Sequence, residues 1–494
     1  MGLRRENVLK MMGASGDVDH GCLCFTALEA STVRLNSVGL PYLMSLEYAK
    51  NNGIWRAYEM IEEDGHYIGQ LITLRKGDRL WLRSTWERLP TMYTGTGLNT
   101  WCKFADDSAQ YKNVTDYYNF AMTGRIRCSG SVSYLALKSG NYFAAFEGMY
   151  YSMFRDCTAL VNTPYIPCTD NPSHQLASQC FASMFRGCTN LKEVNWSGNF
   201  YTYIGHRQFE YMFLNCTSLE RCPDMTFNSS KYQSNVSFQG MFKNCTSLRE
   251  APVISPSLAG NQKVGNQAFK ETFYGCTSLS DASRLTICIN SADAYTDYSM
   301  CFYGCTALTK APEFCTDWLM TQGALKQFFQ GCASLKSVTV RGTFEGGWLN
   351  VTQPFIQTFT GCSSLNYINF LVINKRGGTF WDRCFKNWVN GVAADGIFRM
   401  YADVPVRWAT SDNTYEGIPS GWTVEALGYY QNGNIYADST YTTVVTLSTY
   451  SESNKVCYID IPTNDRYLYD GTELIKVVKL NGVAADDIYM VEQN

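Results

Sequence analysis

The one stretch whose donor atoms could hold a metal ion is Asp17-x-Asp19-His20-x-Cys22-x-Cys24. Structural zinc uses Cys-x-x-Cys spacings and a second ligand pair; here the spacing is Cys-x-Cys and no second pair follows, so no metal is expected. Glu62-Glu63-Asp64 with His66 sets acids beside a base, but in the pattern of a solvated turn. Phosphate-cradling Gly-rich loops, the Gly-x-Ser-x-Gly elbow and the zinc-binding His-Glu-x-x-His are all missing. Only four His (His20, His66, His174 and His206) occur in 494 residues. The expectation is a chain with no catalytic residues and no cofactor: not an enzyme.

The bulk properties narrow the remaining classes. A formal net charge of −3 offers no basic face for nucleic acid. No run of 18 apolar residues exists, so no membrane-spanning helix is expected. Glu6, Asn7 and Lys10 interrupt the start of the chain, which therefore lacks the apolar run of a signal peptide and reads as cytoplasmically made. Hydrophobic content of 45% against 17% charged is that of a globular protein. The 33 Tyr and 11 Trp suit either a surface that grips a partner or β-rich sheets.

The elements that would position any such surface are repeats. Eight times the chain runs aromatic, two variable residues, Cys, two small residues, Leu. The copies are Phe154, Cys157 and Leu160; Phe185, Cys188 and Leu191; Phe213, Cys216 and Leu219; Phe242, Cys245 and Leu248; Phe273, Cys276 and Leu279; Phe302, Cys305 and Leu308; Phe329, Cys332 and Leu335; and Phe359, Cys362 and Leu365. Successive Cys lie 31, 28, 29, 31, 29, 27 and 30 residues apart, the period of stacked supersecondary units. Phe and Cys at i and i+3 predict one face of a short helix, for example over Gln179–Cys188. The alternation after each Leu (Leu191-x-x-Val194-x-Trp196, Leu335-x-x-Val338-x-Val340, Leu365-x-x-Ile368-x-Phe370) predicts a strand. Phe, Cys and Leu would form the repeat core, with Cys a small buried apolar residue and its thiol reduced. Pro164, Pro223, Pro252 and Pro312 remove ladder donors, so the parallel sheet should be strongest at the two ends of the array. Asn215-Cys-Thr217 and Asn244-Cys-Thr246 match glycosylation sequons, but the repeat itself generates them.

These rungs, over Tyr142–Phe370, resemble the BspA-type leucine-rich repeats. The segments Cys384-Phe385-Lys386-Asn387-Trp388-Val389-Asn390-Gly391-Val392, Gly396-Ile397-Phe398 and Gly417-Ile418-Pro419-Ser420-Gly421-Trp422-Thr423-Val424 are similar to the C-terminal cap of repeat proteins encoded by gut bacteria and their bacteriophages. Phe25–Glu29 is similar to the opening of the leader domain of the same proteins. The resemblance implies a mixed fold: an N-terminal β-sandwich, a central leucine-rich-repeat solenoid with a short helix plus a parallel strand per rung, and a small C-terminal β domain. The expected divisions are an arm over 1–21, a sandwich over 22–130, a solenoid over 131–375, a cap over 376–427 and a β domain over 428–494.

In the sandwich, alternating runs at Ser31–Asn36, Met44–Tyr48, Leu71–Leu74, Arg79–Arg83 and Tyr118–Met122 read as strands. Near the C-terminus the strand candidates are Thr442–Leu447, Val456–Ile461 and Ile475–Leu480, with turn signals at Asn432-Gly433 and Asn481-Gly482. The working surface would be the exposed sheet face, where Glu193, Asn195, Ser337, Thr339, Arg341, Tyr367 and Asn369 alternate with buried residues. The resemblance implies a phage virion structural or binding protein: a head or tail fibre, decoration or adhesin subunit. Its partners would be other virion proteins, met through a terminal segment, and a host cell-surface glycan or protein; self-association into a homo-oligomer stays open. The alternatives are a bacterial cell-surface adhesin and a glycan-degrading tailspike, which would need clustered carboxylates.

Overall fold

A computed structural model describes residues 21–41, 43–51, 53–87, 103–104, 114–140, 148–166, 178–196, 199–200, 206–227, 237–256, 269–288, 297–316, 325–344, 355–374, 385–400, 418–419 and 421–426; nearer the C-terminus it describes the strand residues named below. Eleven strands come first: β1 (Leu23–Ala27), β2 (Ser31–Val38), β3 (Leu46–Lys50), β4 (Arg56–Ala57), β5 (Met60–Glu63), β6 (His66–Gly69), β7 (Ile72–Leu74), β8 (Arg79–Ser84), β9 (Lys103–Phe104), β10 (Val114–Thr123) and β11 (Ile126–Ser129). They form two antiparallel sheets, ordered β11-β1-β8-β3-β4 and β5-β6-β2-β10-β9, with β7 also on β2. Alternation along β2 buries Val33 and Leu35 and turns Arg34 and Asn36 outward. The sheets meet through Phe25 and Phe120, edge to face at 5.3 Å. Two turns clasp each other: Asn51 Nδ2 donates to Asp78 Oδ1 at 2.7 Å, and Arg79 N donates to Asn51 Oδ1 at 2.8 Å.

The expected helix-plus-strand rung is not what the chain forms. Among the described residues the one helical element is a 3-10 turn over Val132–Leu135, and every other regular element is a β-strand. Where a helix is expected over Gln179–Cys188, Gln179, Ser183 and Gly187 instead have φ of 55°, 55° and 77°. The first rung shows the pattern. Met153 N, Arg155 N and Cys157 N donate to carbonyls three residues back, while Ser152 N, Phe154 N and Asp156 N donate to Ala182, Met184 and Arg186 of the next rung. A helix would need every amide for i→i−4 bonds. Here alternate amides close turns and the others cross between rungs. The positive φ at the third residue of alternate turns is that of a type II turn. The resulting ribbon of consecutive turns stacks in register from Gly148 to Gly391, its last cross-rung bond running from Gly361 N to Asn390 O.

Period explains the misreading. In the third rung Phe209, Met212, Phe213, Cys216 and Leu219 point inward, at intervals of 3, 1, 3 and 3 residues. That is the apolar stripe of an amphipathic helix. The ribbon's left-handed positions recur every fourth residue (Arg207, Tyr211, Asn215), too close to 3.6 to separate over eleven residues. What separates them is the residue before each Cys: Asp156, Gly187, Asn215, Asn244, Gly275, Gly304, Gly331 and Gly361, all with positive φ. Gly, Asn and Asp are the types that enter this region readily, and a helix interior disfavours them.

Opposite the ribbon lies a parallel ladder. Isolated bridges (Ile126 to Leu160, Ser131 to Tyr165, Asn162 to Glu193, Ile166 to Trp196) open it. Then come β12 (Asn199–Phe200), β13 (Met225–Phe227) and β14 (Ile254–Pro256), followed by β15 (Thr286–Cys288), β16 (Glu313–Thr316), β17 (Ser337–Phe344), β18 (Tyr367–Asn374), β19 (Ile397–Met400) and β20 (Thr423–Ala426). The strand expected directly after each Leu forms only in the seventh and eighth rungs, where β17 and β18 begin two residues past Leu335 and Leu365. After Leu248, Leu279 and Leu308 it does not form. There the chain makes single bridges, Glu250 to Asp281 and Asp281 to Lys310, and pairs as β14, β15 and β16 only further on. These three Leu are therefore core residues at the end of a turn, not the first residues of strands. Pro252 and Pro312 lack the amide that would extend the bridges after Leu248 and Leu308.

The sheet is strongest at the C-terminal end alone, not at both ends: β17 and β18 pair over eight residues, while the first rungs hold bridges. The prolines account for rungs one, three, four and six.

Between ribbon and ladder run two aromatic columns. Phe120, Phe154, Phe185, Phe213, Phe242, Phe273, Phe302, Phe329 and Phe359 stack at 4.9 to 5.8 Å. Tyr150, Phe181, Phe209, Phe238, Phe269 and Tyr298 stack beside them. The N-terminal sheets close one end of the stack. Phe120 N of β10 donates to Met153 O, Ile126 N of β11 donates to Ala159 O, and Asn119 Nδ2 donates to Ser152 O and Arg155 O. One edge of each sheet is thus covered by the first rung, which removes two exposed strand edges. Trp388 covers the other end, 5.7 Å from Phe359 and 6.1 Å from Phe370.

Further on, β21 (Tyr429–Gln431) and β22 (Asn434–Tyr436) form a hairpin, as do β27 (Lys479–Leu480) and β28 (Val483–Ala484). Both Asn-Gly signals fall between paired strands. Between these hairpins, β23 (Leu447–Glu452), β24 (Lys455–Asp460), β25 (Asp465–Tyr469) and β26 (Leu474–Lys476) make a four-stranded antiparallel sheet. Of the strand expected at Thr442–Leu447, Leu447 opens β23 and the earlier residues lie outside the described ones.

Candidate functional site

The repeat core comes first, because it holds everything outward of it. Every Phe and Cys of the motif, from Phe154 and Cys157 through Phe359 and Cys362, is at most 1% exposed. Leu160, Leu191, Leu219, Leu248, Leu279, Leu308, Leu335 and Leu365 are all fully buried, so the expected core holds although its expected helix does not. The Cys is more than a small apolar filler. Each Sγ donates to the carbonyl of the Phe one rung earlier: Cys157 to Phe120 at 2.8 Å, Cys188 to Phe154 at 3.0 Å, Cys216 to Phe185 at 3.1 Å, and so on to Cys362 and Phe329 at 3.0 Å. That carbonyl also accepts the amide of its own rung's Cys, as Phe154 O does from Cys157 N. Burial pushes these thiols up, Cys276 and Cys362 to about 12. The eight motif Cys are buried free thiols, as are Cys24, Cys128, Cys180, Cys222 and Cys301. Of the metal-like cluster, Asp17, Asp19 and His20 lie outside the described residues, while Cys22 and Cys24 are buried at β1. Among the described residues no group of three His, Cys, Asp or Glu is placed to hold a metal ion.

The seven residues expected on the exposed sheet face do not converge. Glu193 and Asn195 stand in the second rung and the others in the seventh and eighth, five and six rungs or roughly 24 and 29 Å away at one strand spacing per rung. Glu193 is exposed, but Asn195 is bound to its neighbour rung: its N donates to Thr163 Oγ1 at 2.8 Å and its Nδ2 to Thr163 O at 2.7 Å. Ser337 is exposed, and Thr339 and Tyr367 are half-buried. Asn369, expected to face solvent, is 0% exposed. It sits in register between Thr339 and Arg399, and the Arg399 guanidinium lies 5.5 Å from the Tyr367 ring. Arg341 is placed in register with Leu371, and its side chain lies outside the described residues.

Nearby carboxylates are neutralised from the next rungs. Asp281 accepts from Lys310 Nζ at 2.8 Å, and Arg284 pairs with Asp224. Partial burial works upward on Asp281, but Lys310 together with the Ser283 amide and hydroxyl outweighs it and holds the carboxyl below its usual range. A low, engaged carboxylate is the opposite of the raised acid that glycoside hydrolysis requires.

The denser constellation lies on the outward side of the ribbon, which sequence reasoning assigned to helices and passed over. Tyr117 of β10 meets Tyr151 of the first rung edge to face at 5.2 Å, and Arg155 Nη1 donates to Tyr117 Oη at 3.5 Å. In the second rung the equivalent of Tyr151 is Ala182. Its small side chain is covered, and Tyr151 comes within the electrostatic reach of Arg207 and Glu210 in the third. Arg207 grips Glu210 at two points, Nε to Oε2 at 2.6 Å and Nη2 to Oε1 at 3.0 Å. Glu210 is 6% exposed, and burial pushes its carboxyl up despite the opposing pull of Arg207. Both its oxygens are engaged by the guanidinium, which fixes the orientation of the carboxyl. Beside it Tyr211 accepts from Gln239 Nε2 at 2.9 Å. Further along, the ammonium of Lys243, paired with Glu271 at 2.6 Å, lies 4.4 Å from the Tyr274 ring, which stacks on Tyr303 at 4.7 Å.

The legible signal was the Tyr and charged residues that some rungs carry two, five or six positions before the Cys: Tyr151 and Arg155, Glu210 and Tyr211, and Lys270, Glu271 and Tyr274. Asn215 and Asn244 belong to the same face: Asn244 Nδ2 donates to Asn215 Oδ1 at 2.9 Å. Both are left-handed, which gives the sequon-like Asn a conformational reason. Comparison of the chain with models of protein families, with curated proteins and with solved structures finds no match.

Proposed function

We propose that the chain is a non-enzymatic attachment protein, a structural and binding component of a bacteriophage virion such as a head or tail fibre, decoration or adhesin subunit. The observation that carries this reading is the platform of Tyr117, Tyr151, Arg207, Glu210 and Tyr211, displayed on a stack whose rungs are joined by unbroken hydrogen bonds. Tyr and Arg dominate surfaces that grip partners, because they contribute large contact area and directed bonds at small conformational cost. A scaffold ordered by its own ladders adds little further ordering cost when it binds. The resemblance of the Phe-x-x-Cys-x-x-Leu rungs to repeat proteins of gut bacteria and their phages supports the virion setting. Other virion proteins would be met through a terminal segment, and the host surface through the ribbon. The purified chain should compete with particles for host cells and slow their adsorption in proportion to its concentration. Adsorption unchanged at saturating chain would refute the reading.

A further inference from the structure

The chemistry of the ribbon platform narrows what it takes. We infer that Tyr117, Tyr151 and Tyr211, with Arg155, Arg207 and Glu210, form a binding site for a neutral polysaccharide. Three features point there. The phenol rings are half-buried, so each keeps part of its surface open while its orientation is fixed by neighbours. Such fixed rings suit the apolar C–H face of a pyranose, which presents no charge and little conformational freedom of its own. The Arg207–Glu210 pair is held at two points, next in the chain to Tyr211 and within electrostatic reach of Tyr151. Around it donors and acceptors stand side by side, an arrangement suited to the vicinal hydroxyls at the rim of a sugar. Charge then selects among glycans. Arg155 lies 3.4 Å from Asp156, and Arg207 is paired with Glu210, so the platform is balanced. Acidic sugars would meet no excess of cations, and the buried Glu210 carboxylate would repel them.

The inference deepens the attachment reading by naming the ligand of the same face. A chain that blocks adsorption yet ignores neutral polysaccharide would sink the glycan assignment and leave that reading standing. The test is affinity electrophoresis of the full chain through gels containing mannan, a β-glucan, a galactan or, as the anionic counterpart, polygalacturonate. The expected result is retardation by at least one neutral polymer. Tyr151→Ala should weaken it at least tenfold and Ile54→Ala, at an exposed position of the β3–β4 connection, should leave it unchanged. Because Tyr151→Ala opens a gap over Ala182, Tyr211→Asn is the second variant: it removes a ring at a left-handed position that Asn accepts, so folding is retained and tenfold weakening is again expected. Retardation by polygalacturonate alone, by none of the polymers, or to the same degree in both Tyr variants as in the parent chain overturns the proposal.

Discussion

At the scale of single residues, two positions in every rung define the ribbon. The Cys joins its rung to the one before through an S–H bond to the Phe carbonyl, and the residue preceding it takes a left-handed conformation. Cys245, whose Sγ lies 3.1 Å from Phe213 O, tests the first. Cys245→Ser keeps a donor of similar size, whereas Cys245→Ala removes the bond and leaves a small void, so Ala should cost about 1–2 kcal/mol and more than Ser. Denaturant titration decides it, and equal costs would reduce the thiol to filler. The seventh rung tests the second. Gly331 and Gln327 have φ of 78° and 55°. Gly331→Ala should destabilise by about 1–2 kcal/mol, and Gln327→Gly should stabilise, or at worst be neutral, because Gln already bears the left-handed strain. Melting temperatures moving the other way would contradict the conformation assigned to the ribbon.

At the scale of elements, the outcome shows what a sequence can and cannot carry. Strands of the N-terminal sheets were legible because Ser31–Asn36 and Arg79–Arg83 alternate with period two. Rung cores were legible because Phe, Cys and Leu recur. The ribbon was not, since its four-residue repeat places Phe209, Met212, Phe213 and Cys216 as a helix would. Only the Gly, Asn or Asp before each Cys breaks the tie. The outward site was hidden for the same reason: Tyr151 and Glu210 hold the same place in the first and third rungs, with the small Ala182 between them in the second, and no linear spacing encodes their electrostatic coupling. Far-ultraviolet circular dichroism should therefore show β and turn structure without the helical double minimum. Ends matter as much as repeats. Truncation after Asn374 would remove Trp388, bare the rings of Phe359 and Phe370 and leave β18 as an open edge. The truncated chain is expected in the insoluble fraction, while recovery of a soluble monomer would show that the stack needs no cover.

At the scale of the whole molecule, a column of buried thiols ties stability to pH. Burial raises the thiol of Cys276 to about 12 and pushes Cys188, Cys245, Cys305 and Cys332 well up. The folded state thus keeps protons that the unfolded state loses above its ordinary thiol value of about 8.5. Stability is fully present below that value and falls as pH rises toward the folded values, by about 1.4 kcal/mol per thiol for each pH unit in the window. With eight such thiols the melting temperature should be level near neutrality and drop steeply above about pH 9. The same column makes the native thiols inert to alkylation until the rungs open. A rigid, capped, all-β stack with one aromatic and ionic face is the physical form expected of an attachment protein. Its central claim is most directly tested by quantitative mass spectrometry of purified phage particles and of washed host-cell surfaces. The account predicts peptides of this chain at stoichiometric level in particles. Peptides confined to the cell envelope and missing from particles would contradict it, and would make the chain a bacterial surface adhesin.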